Sequence, residues 1–160
     1  MKTRFCCIEC KQPISQGVYE FSQELYGYPL CMKDQFLLGE SVASAHIVGL
    51  YLALKAKNFP VKLEYFDGCK LVDIAVPGKL YIEVCGYDLK DREIIAGLGG
   101  DGYTLEMKIP TILISKVMLE KEKTFAHVVN ELSKACQVIL NPCCGFSVAC
   151  APPLTAVQLQ

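Results

Sequence analysis

The chain has no surplus of positive charge, and that scarcity is the first limit on its partners. Sixteen Lys and Arg face seventeen Asp and Glu, a formal net charge of −1, and neither residues 1–40 nor residues 41–160 form a basic module. This weakens, without eliminating, an attraction of nucleic acid by the surface as a whole, and any phosphate contact has to come from a local patch. A secretory signal is also missing, because the opening MKTRFCCIEC has no apolar h-region. Before the C-terminal tail there is no charge-free apolar run of the roughly 18 residues that a membrane helix needs. These absences set the expectation of a cytoplasmic protein without a membrane contact. Histidine is scarce as well, with two in the chain. His46 reads as a half-buried packing residue near a helix start, with a ligand role as the alternative, and His127 as a surface residue.

What the chain does have is apolar mass and cysteine. An apolar content of 52% excludes disorder of the whole chain and suffices for one packed domain with a small appendage. Ten cysteines in a reducing compartment point to metal ligands or free thiols rather than disulfides. Cys7-Ile-Glu-Cys10 and Cys31-Met-Lys-Asp34 each offer two donors three positions apart, the spacing of paired knuckles around tetrahedral Zn²⁺. The expected module, residues 1–36, is zinc-ribbon-like, with Val18–Leu25 forming a small sheet between the knuckles. Cys7, Cys10, Cys31 and Asp34 are its candidate zinc ligands. Asp34 stands where Cys or His is usual, and Cys6 is an alternative donor. A segment this short buries too little apolar area to fold unaided, so a structural metal would supply the missing stability. The alternative is a decayed site without metal.

The stretch Val61 to Gly86 reads as three consecutive strands. Val61, Leu63 and Tyr65 alternate with Lys62, Glu64 and Phe66, the period of a strand with one buried face. Asp67-Gly68 suits a two-residue type I′ turn into a strand over 69–76, and Pro77-Gly78 breaks that strand before Lys79–Cys85. Leu80, Ile82 and Val84 share one face of the third strand, with Tyr81, Glu83 and Cys85 on the other. Asp73 and Glu83 thus sit mid-strand among apolar neighbours, where an unpaired charge is costly. Either a cation such as Mg²⁺ compensates them, or they form salt bridges with Lys62, Lys70 or Lys79.

The segment LVDIAVPGKLYIEVCG resembles the core of the PD-(D/E)xK, or restriction-endonuclease-like, phosphodiesterases, near the very-short-patch repair endonucleases. Gly102-Tyr103-Thr104-Leu105 with Ile109-Pro110 is similar to the family's later strand. Ala53-Leu54-Lys55 with Lys62-Leu63-Glu64 is similar to its opening helix and strand, so the likeness spans residues 41–134. The resemblance implies an α/β fold with a mixed sheet flanked by helices. It further implies Mg²⁺-dependent hydrolysis of DNA, with Asp73 and Glu83 as catalytic metal ligands and Glu64 as an auxiliary. The departures are Cys85, where the family carries Asp or Lys, Leu89 in place of a His, and His46 where relatives carry Glu. A thiolate is soft and serves Mg²⁺ poorly, so the implied nuclease site is incomplete. The competing reading is a non-catalytic relative that binds nucleic acid or a protein partner.

The rest of the chain completes the expected order. Phe36–Glu40 links the module to a helix over about 43–57, capped by Ser41 or Ser44 and buried on most sides. Tyr87–Leu98 reads as a helix, Gly99–Gly102 as a turn and Tyr103–Ile109 as the fourth strand. Pro110 begins a loop, and Leu119–Ala135 is the last helix, with Phe125, Val128, Val129, Leu132 and Ala135 on its apolar side. Residues 135–160 carry no charge at all and read as an apolar tail containing Cys and Pro.

Overall fold

The computed structural model describes residues 5–86 and 109–140. The chain opens with two short strands, β1 (Phe5–Cys6) and β2 (Pro13–Ile14), followed by helices α1 (Gln16–Tyr26), α2 (Met32–Gly39) and α3 (Ala45–Ala56). A meander follows of β3 (Lys62–Phe66), β4 (Leu71–Val76) and β5 (Leu80–Cys85). The described chain ends with β6 (Thr111–Ser115), α4 (Lys116–Glu120) and α5 (Glu122–Leu140). The protein is therefore α/β, with a four-stranded mixed sheet in the order β3-β4-β5-β6.

The meander forms where alternation predicts it. β4 pairs antiparallel with β3 and with β5, and β6 pairs parallel with β5, Ile82 opposite Ile112 and Val84 opposite Ile114. Parallel neighbours need a crossover connection, here residues 86–110. The helix expected over 87–98, the Gly99–Gly102 turn and residues 103–108 of the expected fourth strand lie outside the described residues. Ile109 precedes β6 rather than belonging to a strand.

One face of the sheet, built from Ile74, Val76, Leu80, Ile82 and Ile114, packs against Leu50, Leu52 and Leu54 of α3 and Val128, Val129 and Leu132 of α5. The opposite face holds a smaller cluster of Val72, Ala75 and Tyr81. Helix α3 is buried on several sides, as its nearly continuous apolar sequence requires. Cys7 and Leu30 are fully buried in the same core as these helices, which ties the N-terminal segment to the sheet domain.

Several elements differ from the sequence reading. Val18–Leu25 is not a sheet but lies in α1, where Val18, Phe21, Ser22, Leu25 and Tyr26 recur at helical spacing. Ser15 caps its start, its hydroxyl accepting from the Val18 N–H, and Gly27 at φ 70° ends it in the left-handed conformation. The small sheet is instead the β1–β2 hairpin that flanks the Cys7–Cys10 turn. Phe36–Glu40 is not a link, since Phe36 to Gly39 belong to α2.

The β3–β4 connection runs over residues 67–70 rather than through a type I′ turn. Only Gly68 takes a positive φ there, and Asp67 Oδ1 accepts from the N–H groups of Cys69 and Lys70, each at 2.8 Å. Asp67 N–H also donates to the Lys70 carbonyl at 3.1 Å, so Gly68 and Cys69 link the strands, and the Asp67 carboxylate rather than a second positive φ satisfies the loop. Pro110 leads directly into β6, with its carbonyl accepting from Tyr81 N–H at 2.9 Å. Ile112–Ile114 is a short apolar run close behind Pro110, and periodicity alone does not assign such runs. The last helix is two helices. Lys121 adopts the extended backbone of an N-cap between α4 and α5, and its carbonyl accepts from Phe125 N–H at 2.8 Å and Thr124 Oγ1 at 2.9 Å.

Candidate metal centre and acidic pair

The β1–β2 turn and the first turn of α2 meet at a cluster of four donors. Cys7 and Cys10 come from the turn, Cys31 is the N-cap of α2, and Asp34 lies in its first turn. One ligand atom from each lies within 4.8 Å of all the others, and these four residues can hold a metal ion. Asp34 Oδ2 accepts from the thiols of Cys7 at 3.0 Å and Cys31 at 3.1 Å. The Cys10 and Cys31 sulfurs are 3.7 Å apart.

These separations suit a tetrahedral ion. Two sulfurs bonded to Zn²⁺ at about 2.3 Å in a tetrahedron lie about 3.8 Å apart, the spacing of Cys10 and Cys31. The Asp34 contacts are shorter than a tetrahedral S···O edge because protons now bridge them, so metal entry would replace thiol protons and release them. Burial and donation to Asp34 push the Cys7 and Cys31 thiols up. Burial also raises the Asp34 carboxyl, but the hydrogen bonds from Cys7, Cys31 and Cys10 outweigh it and hold the group below the usual carboxylate range. The donor set of three thiols and one carboxylate favours a borderline-soft ion. Cys6 is exposed on β1 and is not part of the gathered set.

The second candidate lies on the sheet. Asp73 and Glu83 stand opposite each other on β4 and β5, one position beyond the Ile74 and Ile82 pair. Each carboxylate reaches the neighbouring strand's backbone. Asp73 Oδ2 accepts from Val84 N–H at 2.7 Å, and Glu83 Oε2 from Asp73 N–H at 3.5 Å. The side chains thus stand in for ladder bonds where the strand pairing ends. Burial raises the Asp73 carboxyl above its ordinary range; the Val84 N–H opposes this, and the nearby charges of Glu83 and Glu64 add to it.

Lys70 compensates the pair from the β3–β4 loop, with Nζ 2.8 Å from Glu83 Oε1. Of the three lysines weighed from sequence, Lys70 makes this bridge, which is the salt-bridge alternative realised at Glu83. Glu64 is turned elsewhere, accepting from Ser41 Oγ at 3.0 Å and Val42 N–H at 3.1 Å. Its φ of 49° is uncommon for a residue with a Cβ, and the β3–β4 register skips the Glu64 and Asp73 positions. Cys85 points its thiol at the Ile114 carbonyl at 3.4 Å. Among the described residues the cysteine cluster is the one group of three or more donors gathered this closely, and Asp73, Glu83 and Glu64 do not form another.

A cleft of about 450 Å³ has both Asp34 and Glu64 in its lining, together with Glu9, Tyr51, Lys55 and Lys62. Sequence reasoning did not find Glu9, whose carboxylate pairs with Lys55 at 3.0 Å. It lies between the candidate ligands Cys7 and Cys10, and no periodicity marks it. Of the histidines, His46 is half-buried and His127 exposed. Among the described residues, no helix is long and apolar enough to cross a membrane. Compared with known proteins, the chain matches no family model, no curated protein and no solved structure.

Proposed function

We propose that this protein is a metal-dependent DNA phosphodiesterase of the restriction-endonuclease-like kind whose site is incomplete and weakly active. A zinc ion fastens its N-terminal segment. The observation that carries the reading is the opposed placement of Asp73 and Glu83 on adjacent strands of the meander. Support also comes from the sheet itself, because three antiparallel strands followed by a parallel fourth, with helices packed on one face, fit the mixed sheet that the PD-(D/E)xK resemblance implies.

Two carboxylates on neighbouring strands suit Mg²⁺, which keeps most of its waters and takes one or two protein carboxylates. When bound, such an ion polarises a phosphate and acidifies a coordinated water. The chain's own contribution is to orient the carboxylates. Val84 N–H fixes one oxygen of Asp73 and leaves the other available, and Glu83 becomes available once Lys70 releases it. Cys85 adds no group able to take a proton from water at the position after Glu-x, since its thiol is engaged with Ile114.

The Lys70 bridge and the engaged Cys85 favour a second reading, a non-catalytic relative that keeps the fold and nucleic-acid contact. Nicking of supercoiled DNA in Mg²⁺ or Mn²⁺ separates the two. The enzyme reading expects slow cleavage that Asp73→Ala abolishes and the double variant Cys85→Asp/Leu89→His accelerates, a general base being worth about 10²–10⁴-fold. No cleavage by either the parent or the double variant sinks the enzyme reading.

A further inference from the structure

The metal cluster contains a pair of thiols that chemistry can treat differently from the third. Cys7 is 0% exposed within the core, whereas Cys10 is exposed on the turn and Cys31 is half-buried. The sulfurs of Cys10 and Cys31 already lie 3.7 Å apart, so a shift of less than about 2 Å brings them to the bonding distance of a disulfide, about 2.05 Å. These two cysteines also sit on the two elements that the metal would join, the β1–β2 turn and the N-cap of α2.

Resting on the zinc reading of the cluster, we infer that two-electron oxidation exchanges the metal for a Cys10–Cys31 disulfide across the same joint. The oxidant class is a hydroperoxide. The Cys10 thiolate attacks one peroxide oxygen, the O–O bond breaks, and hydroxide leaves, which makes Cys10 a sulfenic acid. The Cys31 thiolate then attacks the Cys10 sulfur, forming the S–S bond and expelling a second hydroxide. Two protons convert both hydroxides to water, so the sulfurs lose the two electrons that the peroxide gains. Cys7 and Asp34 remain as two donors, too few for a closed tetrahedral site, and the metal leaves.

The joint outlives the metal. The disulfide closes the loop that carries α1 and holds the turn against α2, so the oxidised segment stays docked while its metal is lost. Exposure of Cys10 sets the order of events, because thiol oxidation follows thiolate character and access. Buried Cys7 is spared and stays reduced for metal rebinding.

The test uses the full chain loaded with Zn²⁺ and treated with hydrogen peroxide. Zinc release is read with a chromophoric chelator, linkage by non-reducing peptide mapping, and stability by thermal melting. The expected result is one zinc released per Cys10–Cys31 disulfide, reversed by dithiothreitol plus Zn²⁺. The oxidised metal-free protein should melt above the reduced metal-free protein. Cys10→Ser and Cys31→Ser should each remove this linkage, and Cys69→Ser should not. A disulfide through Cys7, zinc release without the Cys10–Cys31 bond, or an oxidised form that melts below the reduced metal-free form overturns the inference while leaving zinc binding intact. A reduced chain that holds no zinc fails the metal reading itself, and the exchange with it.

Discussion

Replacing Asp73 separates what its carboxylate does for the fold from what it does for function. Asp73 Oδ2 accepts from Val84 N–H at 2.7 Å, at the point where the β4–β5 ladder ends. Asp73→Ala removes the acceptor and leaves a half-buried N–H unsatisfied, at a cost of about 1–3 kcal/mol. Asp73→Asn keeps an acceptor oxygen there and can turn its amide NH₂ toward the Glu83 carboxylate. Burial and the charges of Glu83 and Glu64 raise the folded Asp73 carboxyl above its unfolded value. The fold therefore favours the protonated form. That contribution is fully present below the unfolded pKa and is lost as pH rises through the folded one.

At pH 7 the parent carries an ionised group at a cost that Asn avoids, so Asp73→Asn should equal or exceed the parent in stability. The difference should shrink as pH falls toward 4. Urea unfolding followed by circular dichroism at both pH values measures this, since the chain has no tryptophan to report. An Asp73→Asn protein that is destabilised at pH 7 as strongly as Asp73→Ala would refute the reasoning. It would mean that the carboxylate charge is held by a favourable partner that the geometry does not reveal.

Other substitutions follow from the same contacts. Ser22 is fully buried, donating to the Tyr19 carbonyl at 2.9 Å and accepting from Leu30 N–H at 3.2 Å. Ser22→Ala should cost about 1–3 kcal/mol in chemical denaturation by orphaning that N–H. Leu30→Ala, at a fully buried position in the shared core, should cost about 2–5 kcal/mol, and a single transition should persist because segment and sheet share that core. Stripping zinc from the zinc-loaded chain should accelerate hydrogen exchange in residues 5–39 far more than in β4 and β5, since the cluster joins only the β1–β2 turn and α2.

The sheet was legible because its strands advertise themselves. Alternation over Val61–Phe66 and Lys79–Cys85, punctuated by Asp67-Gly68 and Pro77-Gly78, predicts the meander that forms, and the opposition of Asp73 and Glu83 follows from it. The metal cluster was legible from two pairs of donors at a spacing of three. Its scaffold was not, because a ribbon needs a sheet between its knuckles, whereas Val18, Phe21, Ser22 and Leu25 recur at the 3.6-residue period of the helix that forms. β6 is silent in the sequence for a different reason: Ile112, Leu113 and Ile114 are consecutive apolar residues behind Pro110, and such a short run shows no period. The roles of Lys70 and Glu64 depend on where a loop and a left-handed residue aim their side chains. Lys70 was one of three lysines on the hairpins, and nothing in sequence sets it apart.

The most direct measurement is a Mn²⁺ titration of the zinc-loaded chain by calorimetry, with Asp73→Ala, Lys70→Ala and Cys10→Ser alongside. If Asp73 and Glu83 take a divalent cation, the parent binds one Mn²⁺ at this site and Asp73→Ala binds none. Lys70→Ala then binds more tightly, because Glu83 no longer has to leave its ion pair. Cys10→Ser leaves this Mn²⁺ site unchanged. Absence of Mn²⁺ binding by the parent, or binding that survives Asp73→Ala undiminished, contradicts the assignment of the acidic pair as the metal site of a phosphodiesterase.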